Sequence, residues 1–334
     1  MSNSFEEDRL LIFEQPPIDP LTICFSSKAF DLNLIDLIQI LHRRPLDSHL
    51  SLHILPREFL IDYLYIHDLE SSLGASHLKD LAIVKLGGSL ITVKDKPFTL
   101  RGDVLERIGS ELSGLEEFLI LVHGGGSYAH PVAKKYSVSE GYRDEEHLKG
   151  FMETSIAVRR LNLEVVERLV EGGLRCIGIP SSTIFSTSSG KILTCSLEPI
   201  FLSHRVKLAP VTCGDVVFDR ELGFTVLSGD VIASYLAIRL KAKRLIYAID
   251  LDGIYIRDRI TGEVKVAEEL KPGMKLEPLG KIEEDVTGGI VRKLEEGFRA
   301  AEKGVEVMII NGLVKDRMRD AVLGKRVLGT VLKV

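Results

Sequence analysis

The sequence predicts an α/β protein, a three-layer αβα sandwich around a mainly parallel sheet, preceded by a small, mainly helical extension. Two observations carry this. From Asp80 onward, short apolar runs end in glycine turns and alternate with helix-like stretches, the pattern of a parallel sheet covered on both faces. Composition also changes near residue 80: the first 80 residues carry 6 Lys+Arg against 13 Asp+Glu and only one glycine, Gly74, whereas the remainder carries 37 against 35 and the other 28 glycines.

The extension (residues 1–80) contains DLNLIDLIQILH, in which Leu34, Leu37, Ile38 and Leu41 recur at helical spacing, and FLIDYLYIHDL, a second short amphipathic stretch. Pro16, Pro17, Pro20, Pro45 and Pro56 punctuate it. Five of the nine histidines lie here, and only His49 and His53 have the spacing of a helical ligand pair, so surface or packing roles outweigh a metal site.

The remaining elements follow in order. LAIVKLGG reads as a buried strand ending in a glycine turn, VLERIGSELSGL as a helix, EFLILVHGGGS as a second strand and turn, and LKGFMETSIAVRRLNLEVVERLVEGG as a long helix. Apolar runs at CIGIP, LAPVTCG, RLIYAIDLDGIY and VEVMIING supply further strands, with LSGDVIASYLAIRLKA and GGIVRKLEEGFRAAEKG as helices between them. In such sheets ligands bind at the carboxyl ends of the strands, where these glycine turns sit.

A net charge of -5 offers no general basic field for a nucleic-acid backbone. Cys24, Cys176, Cys195 and Cys213 form no C-x-x-C pair and no zinc spacing, which fits a reducing cytoplasm. No run reaches the length of a membrane span, and acidic Glu6, Glu7 and Asp8 stand where a signal peptide is basic. These features predict a cytoplasmic protein, neither exported nor bound to membrane or nucleic acid.

The glycine turns concentrate the chemistry. Lys85-Leu86-Gly87-Gly88-Ser89, with Lys94 nine positions after Lys85, suits an anion approached by backbone N–H groups, although alone it equally fits a plain turn with solvated lysines. His123-Gly124-Gly125-Gly126-Ser127-Tyr128-Ala129-His130 is stronger, because three glycines in a row are costly unless a ligand presses on the main chain. Gly124, Gly126 and Ala129 satisfy a dinucleotide fingerprint, but the acidic strand end it requires about 20 residues on is replaced by the polar run YRDEEHLKG. His123 reads as a structural strand-end residue and His130 as a residue placed to meet an anion. Gly214-Asp215, Ser228-Gly229-Asp230, Asp250 with Asp252, and Asp285 to Gly289 followed by Lys293 complete a repeated arrangement suited to two phosphate groups. No Walker A sequence occurs.

KLGGSLITVK, HGGGSYAHPVAKKY, GDVVFD, LSGD, IDLDGIY and DVTGGIVRK occur in an order and spacing that resemble the amino acid kinase superfamily, most closely its isopentenyl phosphate kinase branch. The resemblance covers residues 81–334 and implies the amino acid kinase fold, ATP with Mg²⁺, a homodimer, and phosphorylation of isopentenyl phosphate to the diphosphate. It further implies that Lys85, Gly87, Gly88, Ser89, Gly126 and Lys293 cradle the ATP phosphates, that Asp250 and Gly289 touch the nucleotide, and that Lys94 serves the transition state. Gly125, His130 and Gly229 match positions holding the acceptor phosphate, Asp230 matches the aspartate that orients the lysines, and Phe151, Met152 and Ile156 are expected to wall the pocket for the isoprenoid tail. Mg²⁺ is expected to be held by ATP oxygens and water rather than by a carboxylate cage. Two departures stand out: Tyr128-Ala129 replaces the usual Phe-Gly, adding a methyl and a hydroxyl near the anion site, and the first 80 residues have no counterpart. The alternatives are a kinase of this fold for another phosphate or phosphonate, such as fosfomycin, and a non-catalytic sensor using the extension.

Overall fold

The computed structural model describes residues 80–257, 262–274 and 289–334. The helices and histidines expected in the extension, and Asp285 to Gly288, lie outside the described residues. The chain opens with β1 (Ala82–Leu86), passes through α1 (Gly88–Ile91) and α2 (Gly102–Leu112), and returns as β2 (Leu119–His123). A second crossover, α3 (Gly126–Lys135) and α4 (Glu145–Glu171), leads to β3 (Cys176–Gly178). Then come α5 (Ser181–Ile184), β4 (Phe185–Ser188), β5 (Lys191–Cys195), α6 (Glu198–Arg205) and β6 (Ala209–Cys213). The hairpin of β7 (Asp215–Asp219) and β8 (Gly223–Leu227) precedes α7 (Gly229–Arg239) and β9 (Arg244–Ile249). After the short strands β10 (Tyr255–Arg257), β11 (Val264–Val266) and β12 (Glu269–Leu270), the chain ends with α8 (Gly289–Ala301), β13 (Glu306–Asn311), α9 (Arg317–Val322) and β14 (Gly329–Leu332).

Eight strands form the central sheet in the order β12-β14-β13-β9-β1-β2-β6-β3, parallel throughout except where β13 meets β14. Strand residues point alternately to the two faces, and the sequence supplies apolar side chains for both. Ala82, Val84 and Leu86 of β1, with Leu119 and Leu121 of β2, pack under α2, α4 and α9. Ile83, Ile120, Val122, Leu245 and Tyr247 face the opposite layer of α6, α7 and α8. The chain therefore has the predicted three-layer αβα architecture.

The long helix α4 begins at Glu145, three residues before the stretch read from periodicity, because Asp144 caps it: its carboxylate accepts the N–H groups of Glu146 and His147 at 2.9 and 3.0 Å. It ends where Gly173 turns left-handed at φ 95°, and the N–H groups of Gly173 and Leu174 close back on Val170 and Leu169. A smaller sheet, β5-β4-β7-β8, was not anticipated. It is folded by a tight turn at Ser189 and Gly190, both with positive φ (49° and 76°), and by Asp219, whose carboxylate gathers the N–H groups of Ser189, Gly190, Glu221 and Leu222. Among the described residues no helix is long and apolar enough to cross a membrane.

Candidate active site

The glycine turns of β1 and β2 meet at the carboxyl ends of adjacent central strands. A Cβ on Gly88 would lie 2.9 Å from the Cα of Gly126, and one on Gly87 would lie 2.9 Å from the carbonyl oxygen of Ala248. Only glycine permits this contact of main chain on main chain. Gly126 has φ 48° and opens α3, and a Cβ there would collide with the Thr92 hydroxyl. Thr92 itself links the two turns: its hydroxyl donates to Gly88 O at 2.8 Å and accepts the Ser127 N–H at 3.0 Å. Sequence reasoning did not single out Thr92, whose side chain gives no motif of its own.

Beside these turns lies a buried charge cluster. Asp230 sits in the first turn of α7, capped by Ser228, and its Oδ1 lies 2.7 Å from Lys85 Nζ of β1 and 2.9 Å from Lys293 Nζ of α8. Lys85 Nζ is 3.8 Å from where a Cβ on Gly124 would stand. Burial alone would raise the Asp230 carboxyl, but the two ammonium groups outweigh it and hold the acid well below the usual carboxylate range. Lys293 is drawn down to about 8 by burial and by the neighbouring Lys85, with Asp230 opposing. Its ammonium also lies 4.9 Å from the centre of the Tyr247 ring. One carboxylate cannot neutralise two ammonium groups, so the cluster keeps a net positive charge in a site of low polarisability. That is an anion-stabilising arrangement.

The other expected site residues fall as follows. Ser89 donates its hydroxyl to Asp250 Oδ1 at 2.7 Å, tying the turn after β1 to the end of β9. Gly229 presses on β2, since a Cβ there would lie 3.0 Å from His123 O. Gly289 begins α8, one turn before Lys293. Lys94 is exposed in the loop between α1 and α2, which is pinned by the Val93 N–H to Thr99 O bond and by Phe98, whose ring meets Tyr128 edge-on at 5.3 Å. His130 is exposed on α3, with its ring against Gly125: a Cβ on Gly125 would lie 3.1 Å from His130 Cδ2.

The structure does not bring the three expected tail-pocket residues together. Phe151 stacks on Phe224 at 4.5 Å and tilts against Phe218 at 5.5 Å, in a cluster with Tyr136 and Val216. Met152 (51 % exposed) and Ile156 (67 %) instead share an outer stripe of α4 with Leu163 and Val170, because residues four and seven apart return to one helix face. Tyr128 directs its hydroxyl to Glu164 of α4, at 2.5 Å, while the Ala129 methyl lies against Gly125, 2.9 Å from where a Cβ there would stand.

The chain belongs to the amino acid kinase family, which it matches over residues 80–311. It is 36 % identical over 260 residues to an isopentenyl phosphate kinase of Methanothermobacter thermautotrophicus, a match covering 75 % of this chain and 98 % of the relative. An isopentenyl phosphate kinase of Methanocaldococcus jannaschii is 33 % identical over 256 residues, covering 73 % and 96 % of the two chains. Among solved structures, one of isopentenyl phosphate kinase is 33 % identical with a TM-score of 0.65, covering 76 % of this chain and all of that one. The product complex of the T. acidophilum isopentenyl phosphate kinase gives 27 % identity and a TM-score of 0.62 with the same coverage.

Proposed function

We propose that this protein is a phosphotransferase that converts ATP and isopentenyl phosphate into ADP and isopentenyl diphosphate. The observation that carries this reading is the buried Lys85–Asp230–Lys293 cluster beside two glycine turns in contact. The isopentenyl phosphate kinases matched over nearly their whole length support the acceptor. A phosphate monoester dianion is already nucleophilic, so the reaction needs no general base. Its obstacle is repulsion: two unit charges about 4 Å apart repel by ~4 kcal/mol at an effective dielectric of 20, and both reactants carry several.

In this reading Lys85 and Lys293, held by Asp230, face the nucleotide phosphates, with Gly87, Gly88, Ser89 and Gly126 offering main-chain approach and Asp250 and Gly289 flanking the nucleotide. Gly125, Gly229 and His130 hold the acceptor phosphate, and His130 does so better when protonated. One acceptor oxygen forms the new P–O bond to the γ-phosphorus as the bond to the β–γ bridging oxygen breaks, and ADP leaves with that electron pair. Lys94 neutralises charge on the transferring group. Mg²⁺ would be held by nucleotide oxygens and water rather than by a carboxylate cage, and when bound would supply further charge neutralisation.

The same reading takes residues 81–334 as the catalytic domain, with residues 1–80 as an appendage of separate role, in the cytoplasm. It also makes the outer α4 stripe of Met152, Ile156, Leu163 and Val170 the seam of a homodimer, a point that a monomeric mass by light scattering would refute. The functional test is ADP release from Mg·ATP with isopentenyl, dimethylallyl and geranyl phosphates, fosfomycin, acetylglutamate and UMP. Turnover concentrated on the short isoprenoid monophosphates is expected. Turnover on another acceptor alone would overturn the substrate.

A further inference from the structure

The histidine that ends β2 does more than fill the core. His123 is fully buried; its Nδ1 lies 3.0 Å from the carbonyl oxygen of Gly124, and its Nε2 lies 3.0 Å from Nδ2 of Asn162, on α4. The orientation of the Asn162 amide is fixed independently, because the same Nδ2 faces Val211 O at 3.4 Å and so must be the donor end. Nε2 of His123 therefore accepts, and the ring proton sits on Nδ1, which donates to Gly124. Burial, reinforced by the neighbouring Lys85 charge and opposed by the Gly124 bond, lowers the imidazole to about 4, so it is neutral at physiological pH.

This bond has a consequence on the far side of the peptide. In a trans peptide the C=O and the following N–H point in opposite directions. Drawing the Gly124 carbonyl toward His123 aims the Gly125 N–H away from it. The loop's other main-chain groups are already committed: Gly124 N–H donates to Leu86 O (3.0 Å), His123 O accepts from Gly214 N–H (2.9 Å), and Gly125 O accepts from Ala129 N–H (3.0 Å). Among the described residues no acceptor meets the N–H groups of Gly125 and Gly126. Two successive glycines would otherwise leave this peptide free to rotate.

We infer that His123 and Asn162 form a positioning pair that orients the Gly124–Gly125 peptide, so that the Gly125 N–H is presented to the acceptor phosphate beside His130. This rests on the acceptor assignment proposed above. The pair touches no substrate; it acts through one peptide plane, from α4 through the imidazole to the loop.

The test exploits the tautomer. Replacing Asn162 by Asp puts a carboxylate against Nε2, which raises the imidazole's proton affinity. While the ring is protonated, both nitrogens donate and the Gly124 bond survives. Once it is neutral, the remaining proton goes to the carboxylate side, and Nδ1 turns a lone pair on the Gly124 carbonyl. The ratio of acceptor KM in Asn162→Asp to that in the unmodified enzyme is therefore expected to be near one at low pH and to rise with pH, with ATP KM changed far less. His123→Leu should raise acceptor KM by about tenfold, and His123→Asn, whose amide can donate from near the Nδ1 position, should recover much of that loss. A long-range ¹⁵N–¹H spectrum should show the His123 ring neutral with its proton on Nδ1. A ratio that stays flat with pH, equal damage to both KM values, or a ring proton on Nε2 would overturn the inference, even for a variant that folds poorly. Normal turnover of isopentenyl phosphate with a flat ratio overturns this inference alone, whereas no turnover of any phosphate acceptor by the unmodified enzyme overturns the functional reading as well.

Discussion

Replacing Asp230 by Asn removes the carboxylate shared by two buried lysines while keeping the side chain's size. Lys85 and Lys293 each contact the same Oδ1, at 2.7 and 2.9 Å, so their ammonium groups are no more than about 5.6 Å apart. At an effective dielectric of 20 their repulsion is about 3 kcal/mol, which the carboxylate offsets in the native site. That repulsion already contributes to the lowering of Lys293, with Asp230 opposing it; what the substitution removes is the Asp230 attraction, which at 2.9 Å and the same dielectric is about 6 kcal/mol. Lys293, already down at about 8, is then driven lower still and is largely uncharged at pH ~7.5, where about three quarters of it is charged in the native site. The form that stabilises phosphate charge falls by at least about tenfold. The assay is ADP release by Asp230→Asn and unmodified enzyme across pH, beside a thermal melt, since an unpaired buried charge also destabilises the fold. The deficit should shrink as the pH falls and Lys293 recovers its proton. A folded variant with full activity at pH ~7.5, or with a deficit that does not change toward acid pH, would refute the charge argument.

Other perturbations separate the two phosphate sites. His130→Ala should lose most activity through a raised acceptor KM, and Lys94→Ala should lower kcat with little change in acceptor affinity; steady-state kinetics that leave both enzymes unchanged would remove these assignments. Gly125→Ala puts a methyl 2.9 Å from the Ala129 Cβ and 3.1 Å from the His130 ring, so it should weaken acceptor binding more than ATP binding in the same kinetics. Tyr128→Phe deletes one part-buried hydrogen bond to Glu164 and should cost about 1 kcal/mol in a denaturation curve, with acceptor preference across the panel unchanged. A shift in preference would show that the hydroxyl influences the anion site after all.

The layers were legible because the apolar strands alternate with amphipathic helices, and the glycine turns because three consecutive glycines between strand and helix have few other uses. The small sheet was less legible. FSTSSGKILTC carries a Ser-Gly turn signal, but its strands are short and polar enough to resemble a loop. Periodicity placed Phe151, Met152 and Ile156 on one helix but could not say which face each would occupy, because a helix with apolar residues both inward and outward has no single buried stripe. Thr92 and Asn162 were missed for a different reason. Each acts through hydrogen bonds to segments distant in sequence, Ser127 in one case and His123 and Val211 in the other, and no local spacing announces such bonds.

The order of strands in the central sheet bears on when the phosphate site comes into being. β1 is nearly the first described segment of the chain, yet one of its two neighbours is β9, and the lysine sharing its aspartate comes from α8, more than two hundred residues later. Pairings across such distances close long loops and form late. On the ribosome, Lys85 emerges early and waits with no carboxylate beside it until Asp230 and then Lys293 have been made. The charge cluster is thus also a record of completed synthesis, and a chain released before α8 carries both glycine turns and the Lys85–Asp230 pair but not the second lysine that leaves the cluster net positive.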